Sequence, residues 1–118
     1  MRILHVEDDE DTRALVSHIL HAEGWKVVSV ENASSAFKLA EEGEFDLYLI
    51  DNWIEGDTEN KLCRGLRTLD PDTPILFYSA AVFPADVQSA LASGAQGYLE
   101  KPCTPDALVE EILKLSQG

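Results

Sequence analysis

The sequence predicts a doubly wound α/β fold, a five-stranded parallel sheet with helices on both faces. Three observations predict it. Short apolar runs alternate five times with longer amphipathic ones along the chain. Phe45–Ile50 and Ile75–Tyr78 are nearly continuous in apolar residues, as in strands buried on both faces. At 118 residues, with no repeat, linker or low-complexity tract, residues 1–118 read as one domain with one core.

Each element has its own signal. Ile3–Val6 reads as the first strand, and Leu15, Val16, Ile19 and Leu20 then recur at helical spacing up to Gly24. Trp25–Val30 is strand-like, and Ala33–Glu42 reads as a helix closed by Gly43. Phe45–Ile50 is the third strand; Leu62, Cys63, Leu66 and Leu69 mark a helix that Asp70-Pro71 ends. Ile75–Tyr78 is the fourth strand, followed by a helix across about Ala85–Ser93 with Val87, Ala90 and Leu91 expected inward. Gly97–Leu99 is a short fifth strand. Thr104-Pro105-Asp106 then starts a helix, with Thr at the cap and Pro in the first position, and Leu108, Val109, Ile112, Leu113 and Leu115 supply its buried side. Right-handed crossovers place such helices on both faces of the sheet.

Composition narrows the function. The net charge is −13, from 22 Asp plus Glu against 9 Lys plus Arg. A chain this acidic is a poor ligand for phosphate backbones or anionic membranes, so neither direct nucleic-acid binding nor membrane insertion is expected. No apolar run is long enough to cross a bilayer and no secretory signal is visible, so a cytoplasmic location is expected. Cys63 and Cys103 lie far apart without a CxxC, and both read as small apolar residues. His5, His18 and His21 read as packing or surface residues. Glu10 and Asp11 read as a solvated helix start.

In a doubly wound sheet, ligands bind beyond the carboxyl ends of the strands. Glu7-Asp8-Asp9 follow the first strand, Asp51 the third, Ser79 the fourth and Lys101-Pro102 the fifth. Carboxylates there suit magnesium, a hard cation that takes one or two carboxylates plus phosphate oxygens. Two carboxylates ~4 Å apart repel by about 4 kcal/mol at an effective dielectric of ~20, so such a group holds a cation or a proton. Asp51, behind the apolar run Leu47–Ile50, is the natural nucleophile towards a phosphoryl group. Lys101 offers a point charge and Ser79 a hydroxyl to the phosphoryl oxygens.

Four pieces stand in order at these strand ends: Ile3-Leu4-His5-Val6-Glu7-Asp8-Asp9, Phe45-Asp46-Leu47-Tyr48-Leu49-Ile50-Asp51, Ser79-Ala80 and Gly94-Ala95-Gln96-Gly97-Tyr98-Leu99-Glu100-Lys101-Pro102. With them the chain resembles a two-component response-regulator receiver domain (CheY-like) over essentially its whole length. The resemblance implies a flavodoxin-like three-layer (βα)5 sandwich with strand order 2-1-3-4-5. It implies that Asp51 accepts a phosphoryl group from a phosphohistidine on a sensor histidine kinase or histidine phosphotransfer protein. Glu7, Asp8, Asp51 and the backbone carbonyl of Trp53 would hold Mg2+, with Mn2+ or Ca2+ as substitutes. Lys101 would contact the phosphoryl group and precede a cis peptide at Pro102. Ser79 and Tyr98 would form a switch pair that remodels the face of helix 4, strand 5 and helix 5, where a homodimer or a downstream partner could dock. Any chemistry would be self-directed, a phosphoacceptor and its own hydrolysis, not an enzyme turning over a separate substrate.

The chain departs from the family pattern at Glu55 and Glu59, where Pro and Gly are usual, and at Cys103, where an aromatic is common. Two other readings compete. A magnesium phosphatase with an aspartyl-phosphate usually carries D-x-D after its first strand, whereas Asp51-Asn52-Trp53 follows the third. A receiver fold that binds partners independently of phosphorylation is the alternative that the Glu55 and Glu59 departures leave open.

Overall fold

The computed structural model describes residues 1–51, 54 and 60–117. Its elements alternate strictly: β1 (Arg2–Val6), α1 (Glu10–His21), β2 (Lys26–Val30), α2 (Ala33–Glu42), β3 (Leu47–Ile50), α3 (Lys61–Leu69), β4 (Ile75–Ser79), α4 (Pro84–Ala92), β5 (Gly97–Glu100) and α5 (Pro105–Gln117). All pairings are parallel, in the order β2-β1-β3-β4-β5. The expected fold class and strand order are therefore observed.

The period-2 alternation of the strands separates two cores. Leu4, Val6, Tyr48, Ile50, Ile75 and Phe77 pack with Ala36, Leu62, Cys63, Leu66 and Ala90 of α2, α3 and α4. Ile3, Leu47, Leu49, Leu76 and Tyr78 pack instead with Val16 and Leu20 of α1 and Leu108 and Ile112 of α5. β1 and β3 are thus covered on both sides, and their last residues are held by packing from above and below. Register brings Val6 level with Ile50, so the residues that follow, Glu7 and Asp51, leave neighbouring strands at the same height.

Local chemistry sets the element ends. Asp9 caps α1 by accepting from Thr12 N at 2.9 Å, and Asn32 caps α2 by accepting from Ser35 N at 2.8 Å. β3 begins at Leu47 rather than Phe45, because the Asp46 carboxylate turns back to accept from Arg2 N at 2.7 Å. Three residues of the helical apolar patterns face solvent instead of the core: Leu15 (58% exposed), Leu69 (44%) and Leu91 (45%). Leu91 corrects the inward face expected for α4. That helix carries Ala85, Val87, Ala90, Leu91 and Ala92 around much of its circumference, and packing selects Ala90 alone for full burial.

Between α2 and α3, a Cβ added to Gly65 would lie 2.5 Å from Cζ of Phe37. The helix interior therefore keeps a residue that disfavours helix, so that the aromatic ring can lie on its backbone. Gly65→Ala is expected to destabilise by about 1 kcal/mol, overpacking exceeding the gain in helix propensity. In a Phe37→Ala background the same change should become stabilising; chemical denaturation of the four proteins checks the coupling.

Candidate functional site

The strand-end residues named from the sequence converge on one rim. Glu7 is 1% exposed, Asp51 is partly buried and Asp8 is exposed. One carboxylate oxygen from each lies within 4.8 Å of the other two, close enough to face a single ion. Lys101 reaches in from the end of β5. Its ammonium donates to Glu7 Oε1 and, at 3.3 Å, to Asp51 Oδ2, and lies 5.4 Å from the ring centre of Tyr78. The Lys101 amide donates to the Ser79 carbonyl at 3.0 Å, tying the end of β5 to the end of β4. The Lys101-Pro102 peptide is cis.

The electrostatics follow from burial. Burial, and then the neighbouring Asp51 carboxylate, push Glu7 up to about 7, outweighing the ammonium that it shares. Burial alone would lower Lys101, yet Glu7 and Asp51 together raise it. One ammonium thus serves two carboxylates while Asp8 adds a third, leaving an excess negative charge at the rim. The donor set, all oxygen and all anionic, with its atoms clustered this closely, fits a hard divalent cation such as magnesium. Two residues before Glu7, within β1, His5 is 1% exposed and its Nδ1 has no hydrogen-bond partner among the described residues. Burial, reinforced by the Lys101 charge, lowers its pKa to about 3, so it packs as a neutral ring.

The two residues of the expected switch pair lie close together. Ser79 is fully buried, and its Oγ accepts from Ala81 N at 3.1 Å. The Tyr98 hydroxyl donates to the carbonyl of the same Ala81, and its ring stacks on Phe77 with centres 5.5 Å apart and planes at 4°. Tyr98 is therefore turned inward here, against the β4–α4 connection. Cys103 packs at the edge of the α1/α5 core. The expectations for Trp53, Glu55 and Glu59, including a carbonyl ligand from Trp53, lie outside the described residues.

The sequence reading did not single out Arg13. Its Nη1 donates to the Glu7 carbonyl at 2.7 Å, which places a cation on the backbone that carries the acids. A signal existed, since Arg13 is the one basic residue in the first half of a helix that opens with acids.

A doubly wound sheet with an acid cluster and a lysine at its carboxyl rim defines a class of α/β domains whose ligands bind at that rim. Comparison with known proteins narrows it. Residues 3–113 match the response regulator receiver domain family. The chain belongs to that family, as a receiver domain of two-component signalling.

It is 34% identical over 112 residues to the sensor histidine kinase AruS of Pseudomonas aeruginosa, covering 92% of this chain and 11% of that protein. It is 33% identical over 111 residues to the DNA-binding response regulator MtrA of Mycolicibacterium smegmatis, covering 94% of this chain and 48% of MtrA. The chain thus spans about half or less of the curated relatives it matches. Among solved structures, the chemotaxis protein CheY4 of Vibrio cholerae is similar at 28% identity and a TM-score of 0.91, covering 97% of each chain. A response regulator from Burkholderia pseudomallei, solved with a phosphorylated aspartic acid and a calcium ion, is similar at 25% identity and a TM-score of 0.88. That likeness covers 98% of this chain and 68% of the other. Among the described residues, no helix is long and apolar enough to cross a membrane.

Proposed function

We propose that this receiver domain accepts a phosphoryl group on Asp51 from a phosphohistidine of a partner kinase or phosphotransfer protein, in a magnesium-dependent reaction. The observation that carries it is the convergence of Glu7, Asp8 and Asp51 on one point with Lys101 bridging two of them. Asp51 Oδ attacks phosphorus, the P–N bond to the donor imidazole breaks, and the leaving nitrogen keeps the electron pair. Glu7 and Asp8, with Asp51, would hold Mg2+, which neutralises phosphoryl oxygens when bound. Mn2+ or Ca2+ would fit the same oxygens; the similar Burkholderia structure contains a phosphorylated aspartic acid and a calcium ion.

Lys101 already lies 3.3 Å from Asp51 Oδ2, so its ammonium is placed for oxygens arriving at that atom. Ser79 offers its hydroxyl from the end of β4, and a phosphoryl that draws it would break the Ala81 N–Ser79 Oγ bond. The Ala81 carbonyl also anchors Tyr98, so that step would pass to β5 and the face it shares with α4 and α5. The chemistry would be directed at the domain itself, ending in hydrolysis of its own aspartyl phosphate.

Incubation with Mg2+ and a labelled small acyl phosphate is expected to give one phosphoryl group per chain and none with EDTA. Asp51→Asn should remove the label. Label retained on that variant would refute the assignment. Normal cellular output from Asp51→Asn would favour the phosphorylation-independent binding module instead.

A further inference from the structure

Glu7 and Asp8 sit in the three-residue connection between β1 and α1. Carboxylates there face a common point only if the peptide between them is held. The hydrogen bonds show how it is held. The Glu7 amide donates to the Val30 carbonyl of β2 at 3.0 Å, which anchors the segment at its start. Asp9 turns its carboxylate to Thr12, at 2.9 Å from the amide and 2.6 Å from the hydroxyl, which anchors the end. The Glu7–Asp8 peptide lies between these anchors, and its carbonyl accepts from Arg13 Nη1 at 2.7 Å.

Arg13 holds both ends of the connection. Its amide donates to the Asp9 carbonyl at 3.0 Å, the first bond of α1, while its guanidinium reaches back to Glu7. The chain from Glu7 to Arg13 is thereby closed into a ring with Asp8 inside it. The charge goes to a neutral carbonyl, so Arg13 braces the acids without occupying their oxygens. Arg13 also lines a surface cavity with Ser29, Val30, Glu31 and Ser35.

We propose that Arg13 is a positioning residue for the cation site, presetting the direction of Asp8 and Glu7 through the peptide that joins them. The inference rests on the magnesium-dependent function proposed above. Two roles predict opposite signs. As a mere neighbouring positive charge, Arg13 would repel Mg2+, and its neutralisation would tighten binding. As a brace, its loss frees the Glu7–Asp8 peptide and weakens binding, by the about 10-fold or more typical when a partner of a metal ligand is removed.

The test is calorimetric titration of the whole chain with Mg2+ for the unsubstituted protein, Arg13→Gln and Arg13→Lys, with thermal unfolding of each. Arg13→Gln is expected to bind Mg2+ about 10-fold more weakly, and Arg13→Lys to recover part of that because an ammonium can still donate to the carbonyl. Labelling of Arg13→Gln by acyl phosphate should return to the unsubstituted rate at saturating Mg2+. Equal or tighter Mg2+ binding by Arg13→Gln overturns the inference, as does a labelling rate that stays depressed at saturation. Should Arg13→Gln fail to fold, Arg13→Lys decides: affinity equal to that of Arg13→Met, a second apolar-stem variant, overturns it. Equal Mg2+ binding by Arg13→Gln, with an unsubstituted chain that both binds Mg2+ and labels on Asp51, overturns this inference alone, whereas an unsubstituted chain that neither binds Mg2+ nor labels overturns the proposed function with it.

Discussion

Lys101→Met is expected to slow phosphoryl labelling of Asp51 by about 10²–10³-fold, the usual effect of removing one preorganised donor from a developing anionic centre. Methionine keeps much of the apolar stem that runs past Tyr78, so the change removes mainly the charge. The ammonium now contacts both Glu7 and Asp51. The same substitution should therefore tighten Mg2+ binding, since the cation no longer competes with an ammonium for the same oxygens. Titration at pH 9, where proton competition is relieved, reads the affinity, and acyl-phosphate labelling at saturating Mg2+ reads the rate. An unchanged labelling rate would show that Lys101 serves only to balance the carboxylates.

Magnesium affinity should fall as pH drops below neutrality, approaching about 10-fold per unit and reaching about 50-fold from pH 7 to pH 5, because a proton and the ion compete for one carboxylate. The competing group is Glu7, which burial and Asp51 raise to about 7. Each Mg2+ bound near pH 6 should release close to one proton, measurable by calorimetry in buffers of different ionisation enthalpy. Glu7→Gln should flatten this dependence, and an affinity already flat in the parent protein would remove Glu7 from the site.

Stability without metal carries the opposite sign. Glu7 rises from an ordinary 4.5 to about 7, so between those values the folded chain holds a proton that the unfolded chain has lost. Its contribution is complete below about 4.5 and is lost as pH rises to about 7. His5 works against it. Lowered from 6.5 to about 3, it makes the unfolded chain the better proton binder between those values, so its contribution rises with pH. The two slopes oppose each other from about 4.5 to 6.5. Removing the acid by Glu7→Gln should expose the His5 slope, seen as a melting temperature that climbs steadily from pH 4 to pH 6.5.

Much of the fold was legible in the sequence because its signals are local. A strand covered on both faces must be apolar at consecutive positions, as Leu47–Ile50 are, and all four prove buried. Thr104-Pro105 announces a helix start through the backbone donors that it satisfies or lacks. The acids were legible for a related reason. Once Val6 and Ile50 are paired, the residues after them have no choice but to emerge side by side at the carboxyl rim.

What no local pattern contains is which neighbour a side chain meets. Leu15 and Val16 look equivalent on a periodic helix, yet one is 58% exposed and the other 1%, because the width of the covering sheet sets how far round the helix burial extends. Gly65 reads as a weak helix residue until the Phe37 ring is seen lying on it. Asn60 takes φ 55 at the start of α3 and donates to Ser89 on α4 at 2.9 Å, a bond between residues far apart in the chain. Arg67 spans from α3 to the carbonyls of Asp70, Thr73 and Gly94 and to the side chain of Gln96. Arg13 is of the same kind. The chain itself determined the strands, the helices and the acids at their ends. Tertiary packing decided which cations meet those acids, because a long flexible side chain is placed by the surfaces around it and not by its position in a repeat.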